Sequence, residues 1–162
     1  DLADLKKQLE EAKAKSAAAQ NENNVVEKVV ENAELALPAP MVEMQCEQML
    51  DDYARRMQSQ DLPLEQYLQY TGMTVEKLKE QFRPQAERNL KTRLVLEEVV
   101  KAENIAVSEE AIDAEIAKMA EAYKIAPEKM KEYVSAEQRE ELAMDLKIQE
   151  AVDFLVAEAK LQ

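Results

Sequence analysis

Between residue 1 and about residue 34, apolar side chains recur at steps of three and four. Leu2, Leu5 and Leu9 stand at one end and Val26, Val29, Val30 and Ala33 at the other, around an alanine-rich middle. With neither proline nor glycine in the stretch, the spacing predicts one long helix of about 45 to 50 Å at the usual rise of 1.5 Å per residue. The segment SAAAQNENN opposes it, because asparagine disfavours helix interiors, and a break between Gln20 and Asn24 is the alternative. LALPAP then ends the helix: Pro38 and Pro40 lack backbone donors and push the residues before them towards extended conformations, while Pro40 suits the first turn of a following helix.

That second helix runs to about Gln60 and carries Met49, Tyr53 and Met57 at i, i+4, i+8, with Cys46 and Leu50 beside them and Met41 and Met44 at the start of the same broad side. SQDLPLEQYLQYTG reads as a turn, a short helix from about Leu64 to Tyr70, and a stop at Gly72. Thr74 caps a third long helix from Val75 to about Glu103, whose Val75, Leu78, Phe82, Ala86, Leu90 and Leu94 hold one face; Pro84 inside it predicts a kink or a fresh start. Ser108 caps the next helix, to about Tyr123, with Glu109 and Glu110 in its favourable first turn, and Pro127 opens a short one. Ser135 and Gln138 have capping-box spacing before a last helix to about Lys160, whose apolar arc is wide enough to meet neighbours on more than one side. The expected fold is all-α, an elongated set of long helical hairpins.

Composition sharpens this. The 162 residues include one glycine, too few for the turns of an antiparallel β architecture. Hydrophobic residues make up 46 % but aromatics only 4 %, so the packing material is thin. Against 34 Asp and Glu stand 21 Lys and Arg, a net charge of −13, which lacks the basic footprint that nucleic acid or an anionic membrane requires. No run is long and apolar enough for a membrane span, and the start does not resemble a signal peptide.

Chemistry finds little support. Paired carboxylates such as Asp51 and Asp52, Glu97 and Glu98, Glu109 and Glu110, and Glu140 and Glu141 are helical neighbours pointing about 100° apart, so they read as solvated faces and not as acid–base pairs. The absence of histidine removes the usual zinc, di-metal and Cys–His constellations. Cys46 reads as a structural thiol, and Ser16, Ser59, Ser108 and Ser135 as surface or cap residues. No catalytic residue, cofactor or metal site is expected, and the chain is not expected to be an enzyme.

The methionines carry the remaining signal. A stripe at helical spacing ordinarily packs a core, yet methionine is unbranched and polarizable and is overused on surfaces that accept many partners. Tyr67, Tyr70 and Met73 add amphipathic groups at an expected hairpin end, and Met119 and Tyr123 repeat the i, i+4 pairing. Met44, Met49, Tyr53, Met57, Tyr67, Tyr70, Met73, Met119 and Tyr123 are therefore the candidate binding residues, on a surface left apolar because the hairpins have too few mates.

VVEKVVENAELALPAPMVE, LEQYLQYTG, RLVLEEVVKAENIAVSEEAID and AVDFLVAEAK, in this order, resemble the C-terminal domain of bacterial trigger factor, the ribosome-associated chaperone. The resemblance implies an all-helical body with two projecting arms that cradle unfolded and nascent polypeptides in the cytoplasm, in a family associated with cell division and protein export. Mapped here, residues 1 to about 37 are the long helix of the body, about 38 to 103 the first arm, and about 104 to 162 the second arm and return helix. The family's ribosome-docking signature and its prolyl isomerase domain are both missing from this sequence, so ribosome contact would run only through a missing domain, and isomerase activity belongs to the full-length family. A homodimer stays open. These expectations converge on an ATP-independent chaperone module that holds exposed apolar segments weakly and broadly. The rival reading is a structural scaffold or oligomerisation module that binds one fixed partner through the same stripes.

Overall fold

The computed structural model describes residues 1–161, and all its regular structure is helical: α1 Leu2–Asn32, α2 Ala39–Gln58, α3 Leu64–Thr71, α4 Val75–Ala102, α5 Glu109–Tyr123, α6 Pro127–Tyr133 and α7 Ala136–Ala159. The described residues form two compact units: one contains residues 1–32 and 95–161, the other residues 33–94. Helix α4 contributes to both, its residues up to Leu94 to the second and those from Val95 to the first.

α1 runs unbroken through Gln20 to Asn24, so the asparagines do not interrupt it. Its second half packs on α7, with Val25, Val26, Val29 and Val30 half-buried, whereas residues 1–21 are exposed throughout, Leu2 at 84 %. α4 likewise continues through Pro84 as one element instead of starting afresh there. Proline at that position still withdraws one donor from the i to i−4 ladder.

The caps explain where the helices begin. Lys77 donates its backbone N–H to Thr74 Oγ1 at 3.2 Å, and Ala111 donates to Ser108 Oγ at 3.1 Å. Ser135 and Gln138 form a reciprocal box, with Gln138 N–H on Ser135 Oγ and Ser135 N–H on Gln138 Oε1.

The C-termini are more uniform than the sequence suggests. Gly72, at φ 68°, ends α3 as expected, but Asp61, Asn104 and Lys124 adopt the same left-handed conformation after α2, α4 and α5. At each of the four, the next residue donates its N–H five residues back: Leu62 to Met57, Met73 to Leu68, Ile105 to Val100 and Ile125 to Ala120. This is the Schellman arrangement, in which an apolar residue after the left-handed one folds back over the last turn. In three of four cases a residue with a Cβ carries the strain that glycine would avoid.

Each unit has its own core. In the first, Ile112, Ile116 and Ala120 of α5 form an i, i+4, i+8 ladder closed by Met130 of α6, with Leu142, Ala143 and Leu146 of α7 packed against it. In the second, Val42 and Cys46 of α2 meet Ala86 and Leu90 of α4, flanked by Leu37, Met49 and Leu94. Cys46 and Ala86 are fully buried where α2 and α4 meet.

Ile116 is fully buried at the centre of the first core, so Ile116→Ala removes buried area and leaves a cavity; an unfolding titration is expected to show a loss of about 2 to 5 kcal/mol. Lys124→Gly is expected to act in the opposite sense. Relief of the left-handed strain raises stability by about 0.5 to 1 kcal/mol, read as a rise of a few degrees in the melting temperature. No rise on melting would show that Lys124 carries no strain.

Candidate functional site

The first unit contains a groove of about 350 Å³ where α5, α6 and α7 meet. Met119 enters from α5, Met130 and Tyr133 from α6, and Leu142 from α7, giving an apolar lining with two flexible thioethers. Gln138, Glu141 and Asp145 complete it from α7 at steps of three and four, so one side of the groove is polar and acidic. Tyr123, the last residue of α5, and Tyr133, the last of α6, are 72 % and 71 % exposed.

The three helices around this groove are clamped electrostatically. Arg139 of α7 donates to Glu109 Oε2 at 2.5 Å and to Asp113 Oδ1 at 2.9 Å, both on α5, while Lys131 of α6 reaches Asp113 Oδ2 at 3.6 Å. The Arg139 guanidinium holds the Asp113 carboxyl below the usual aspartate range, with Lys131 adding to the effect. Its partners raise Arg139 in turn, Glu109 before Asp113.

In the second unit, Lys79 and Arg83 of α4 converge on Glu43 of α2, Arg83 at 3.1 Å. Lys79 first and Arg83 second hold the Glu43 carboxyl below its ordinary value. In the same unit Tyr53 of α2 sits between Tyr67 of α3 and Phe82 of α4, edge to face with each, at centroid distances of 5.9 and 5.5 Å. The Tyr67 hydroxyl, with burial behind it, pushes the Tyr53 phenol up. Burial likewise pushes the Cys46 thiol up, away from the thiolate that nucleophilic chemistry needs.

The residues singled out from the sequence fall into three situations. Met44, at 69 %, Tyr70, at 77 %, and Tyr123 lie open on the surface. Met49, Tyr53, Tyr67, Met73 and Met119 are half-buried: Met49 lies against the α2–α4 core, Tyr53 and Tyr67 in the ring cluster, Met73 in the fold-back after α3, and Met119 in the groove. Met57, at 8 %, is part of the interior.

Sequence reasoning did not single out Met130, Tyr133 and Leu142 as groove residues. α6, with seven residues, is too short to show a period, and no local signal reveals that its Met130 meets Met119 across the chain. Among the described residues, no group of three or more Cys, Asp or Glu side chains could hold a metal ion, and no helix is long and apolar enough to cross a membrane. What the arrangement offers is apolar area beside carboxylates, suited to reversible binding.

Comparison with known proteins gives the family and the fold. Residues 2–157 match the family model described as the bacterial trigger factor protein C-terminus. The trigger factor of Lachnoclostridium phytofermentans is 48 % identical over 158 residues, which is 98 % of this chain and 37 % of that protein. The trigger factor of Bacillus subtilis is 42 % identical over 151 residues, 93 % of this chain and 35 % of that protein. The chain thus spans little more than a third of the curated relatives it matches. A solved structure of trigger factor domains from Thermotoga maritima matches with a TM-score of 0.61 over 86 % of this chain and 81 % of that one; at 21 % identity it shows the fold alone.

The clamp makes a pH prediction. Because the folded Asp113 carboxyl gives up its proton more readily than the unfolded one, its contribution is complete above the ordinary aspartate value and is lost as the pH falls through the lowered one. Arg139→Gln is expected to melt below the wild type near neutrality, and the gap is expected to close on acidification through the carboxylate range. A gap of constant size down to pH 2 would show that the clamp is not what Arg139 contributes.

Proposed function

Since the chain belongs to the family of bacterial trigger factor C-termini, we propose that it is an ATP-independent chaperone module that holds unfolded or nascent polypeptides on apolar side chains exposed on its helices. The observation that carries the reading is the exposure of Met44 and Tyr70 in one unit and of Tyr123 and Tyr133, beside the Met119 groove, in the other. A chain with so few aromatic residues leaves four large amphipathic or thioether groups in solvent, where burial against a client would stabilise contact by about 25 cal/mol per Å². Ordering the client opposes this gain, so each contact is weak and the binding is broad and reversible.

The carboxylates add selectivity. Glu141 and Asp145 border the groove, and the chain as a whole carries −13, which favours apolar segments flanked by lysine or arginine and keeps the holder itself dispersed. In this reading residues 38 to about 103 and about 104 to 161 serve as two arms, each offering its own contacts in the cytoplasm. The matched family region is the C-terminus, and no catalytic activity is assigned to it.

Several unrelated proteins, diluted from denaturant while light scattering is followed, test the proposal. Near-stoichiometric chain is expected to suppress aggregation of most of them without nucleotide. The double variant Tyr123→Ser, Tyr133→Ser, which alters only exposed positions, is expected to need about fivefold more chain for the same effect if it loses about 1 kcal/mol of contact. Protection of no client, together with tight binding of one folded partner, would sink the proposal in favour of a fixed-partner scaffold.

A further inference from the structure

Peroxide attacks the sulfur side chains of a protein, and the sulfurs of this chain are unequally placed. Its one cysteine, Cys46, is fully buried between α2 and α4, and burial pushes its thiol up, away from the thiolate that peroxide oxidises. Oxidation therefore falls to the eight methionines, which the fold grades by access. Met57 and Met130 are buried, and Met49, Met73, Met119 and Met144 are half-buried. Met41 is 39 % exposed, whereas Met44 stands out at 69 %.

The place of Met44 on α2 determines what its oxidation does. Val42 and Cys46, which pack on Ala86 and Leu90 of α4, each lie two residues from it, about 200° round the helix. Met44 therefore points away from the core of the second unit, and Met41, at i−3, lies beside it on the open side. Conversion to the sulfoxide turns a flexible apolar side chain into a polar one. At Met57 or Met130 that change would disrupt buried packing. At Met44 it alters only the surface offered to a client, and the fold survives it.

We propose that Met44 is an oxidation switch on the client-holding surface: hydrogen peroxide converts its thioether to the sulfoxide and so weakens the hold of the second unit on apolar segments. The proposal rests on the chaperone reading and adds regulation to it. In the step, a sulfur lone pair attacks one peroxide oxygen, the O–O bond breaks as the S–O bond forms, and the departing hydroxide takes the proton from the transferred oxygen to leave as water. Sulfur loses two electrons and peroxide gains them. Reversal belongs to a sulfoxide reductase, which oxidises two thiols to a disulfide and releases the oxygen as water. In the first unit Met119 and Met144 are half-buried and Met130 is buried, so its groove goes on holding clients while the contact at Met44 is weakened.

To test it, the whole chain is treated with hydrogen peroxide in steps, desalted, and divided between peptide mass spectrometry and the aggregation assay with unrelated clients. Met44 sulfoxide is expected to accumulate ahead of that of any other methionine, with Met57 and Met130 last and the melting temperature unchanged while Met44 alone is modified. At that point about fourfold more chain is expected to be needed for the same protection, the loss of roughly one methylene of buried contact. Met44→Leu keeps an apolar side chain without sulfur and is expected to lose no protection on treatment relative to its own untreated form. Incubation with both epimer-specific sulfoxide reductases and a dithiol is expected to restore the treated wild type. Oxidation of Met44 no faster than that of the half-buried methionines, or an equal loss in the leucine variant, would overturn the proposal. So would full protection by chain that carries the sulfoxide, in which case the chaperone reading stands without the switch; if the untreated chain protects no client, both fall.

Discussion

Two narrow buried ladders hold this protein, and most of its other features follow from how little they use. Ile112, Ile116 and Ala120 with Met130 make one core; Val42 and Cys46 with Ala86 and Leu90 make the other. Each is a narrow stripe of buried side chains, shared by α5, α6 and α7 in one unit and by α2 and α4 in the other, so much of each helix's circumference stays outside. Salt bridges then fix the register at the edges of the stripes, Arg139 with Glu109 and Asp113 in one unit and Lys79 and Arg83 with Glu43 in the other. These pairs sit at partly exposed positions, where solvent screens them, so they tune helix placement more than they add stability. Thin cores and partnerless faces are two aspects of one arrangement, and together they leave apolar groups such as Met44 and Tyr70 in solvent.

The helices were legible from the sequence because their signals are local. The Pro38–Pro40 pair, the Ser135–Gln138 box, Thr74, Ser108 and Gly72 each act within one turn, and the structure places a helix end at every one of them. The left-handed ends at Asp61, Asn104 and Lys124 were not legible, because they depend on the apolar fold-back of Leu62, Ile105 and Ile125, and residue type alone signals them weakly. Which of the candidate residues stay exposed was legible only in part. Periodicity places Met44, Met49 and Met57 on one broad side of α2, yet exposure runs from 69 % at Met44 to 8 % at Met57, since it depends on which helix lies alongside. The groove of Met119, Met130, Tyr133 and Leu142 joins three helices far apart in sequence, and only the fold brings them together.

The methionines show why the same residue type serves both inside and outside. Met130 closes the first core and Met57 lies in the interior of the second unit, while Met44 is open and Met119 is shared between core edge and groove. An unbranched thioether adapts to irregular gaps at low cost, which helps a core short of aromatic material, and the same softness lets an exposed methionine follow the contours of unrelated ligands. A β-branched residue at position 119 would specify one packing arrangement and lose that latitude.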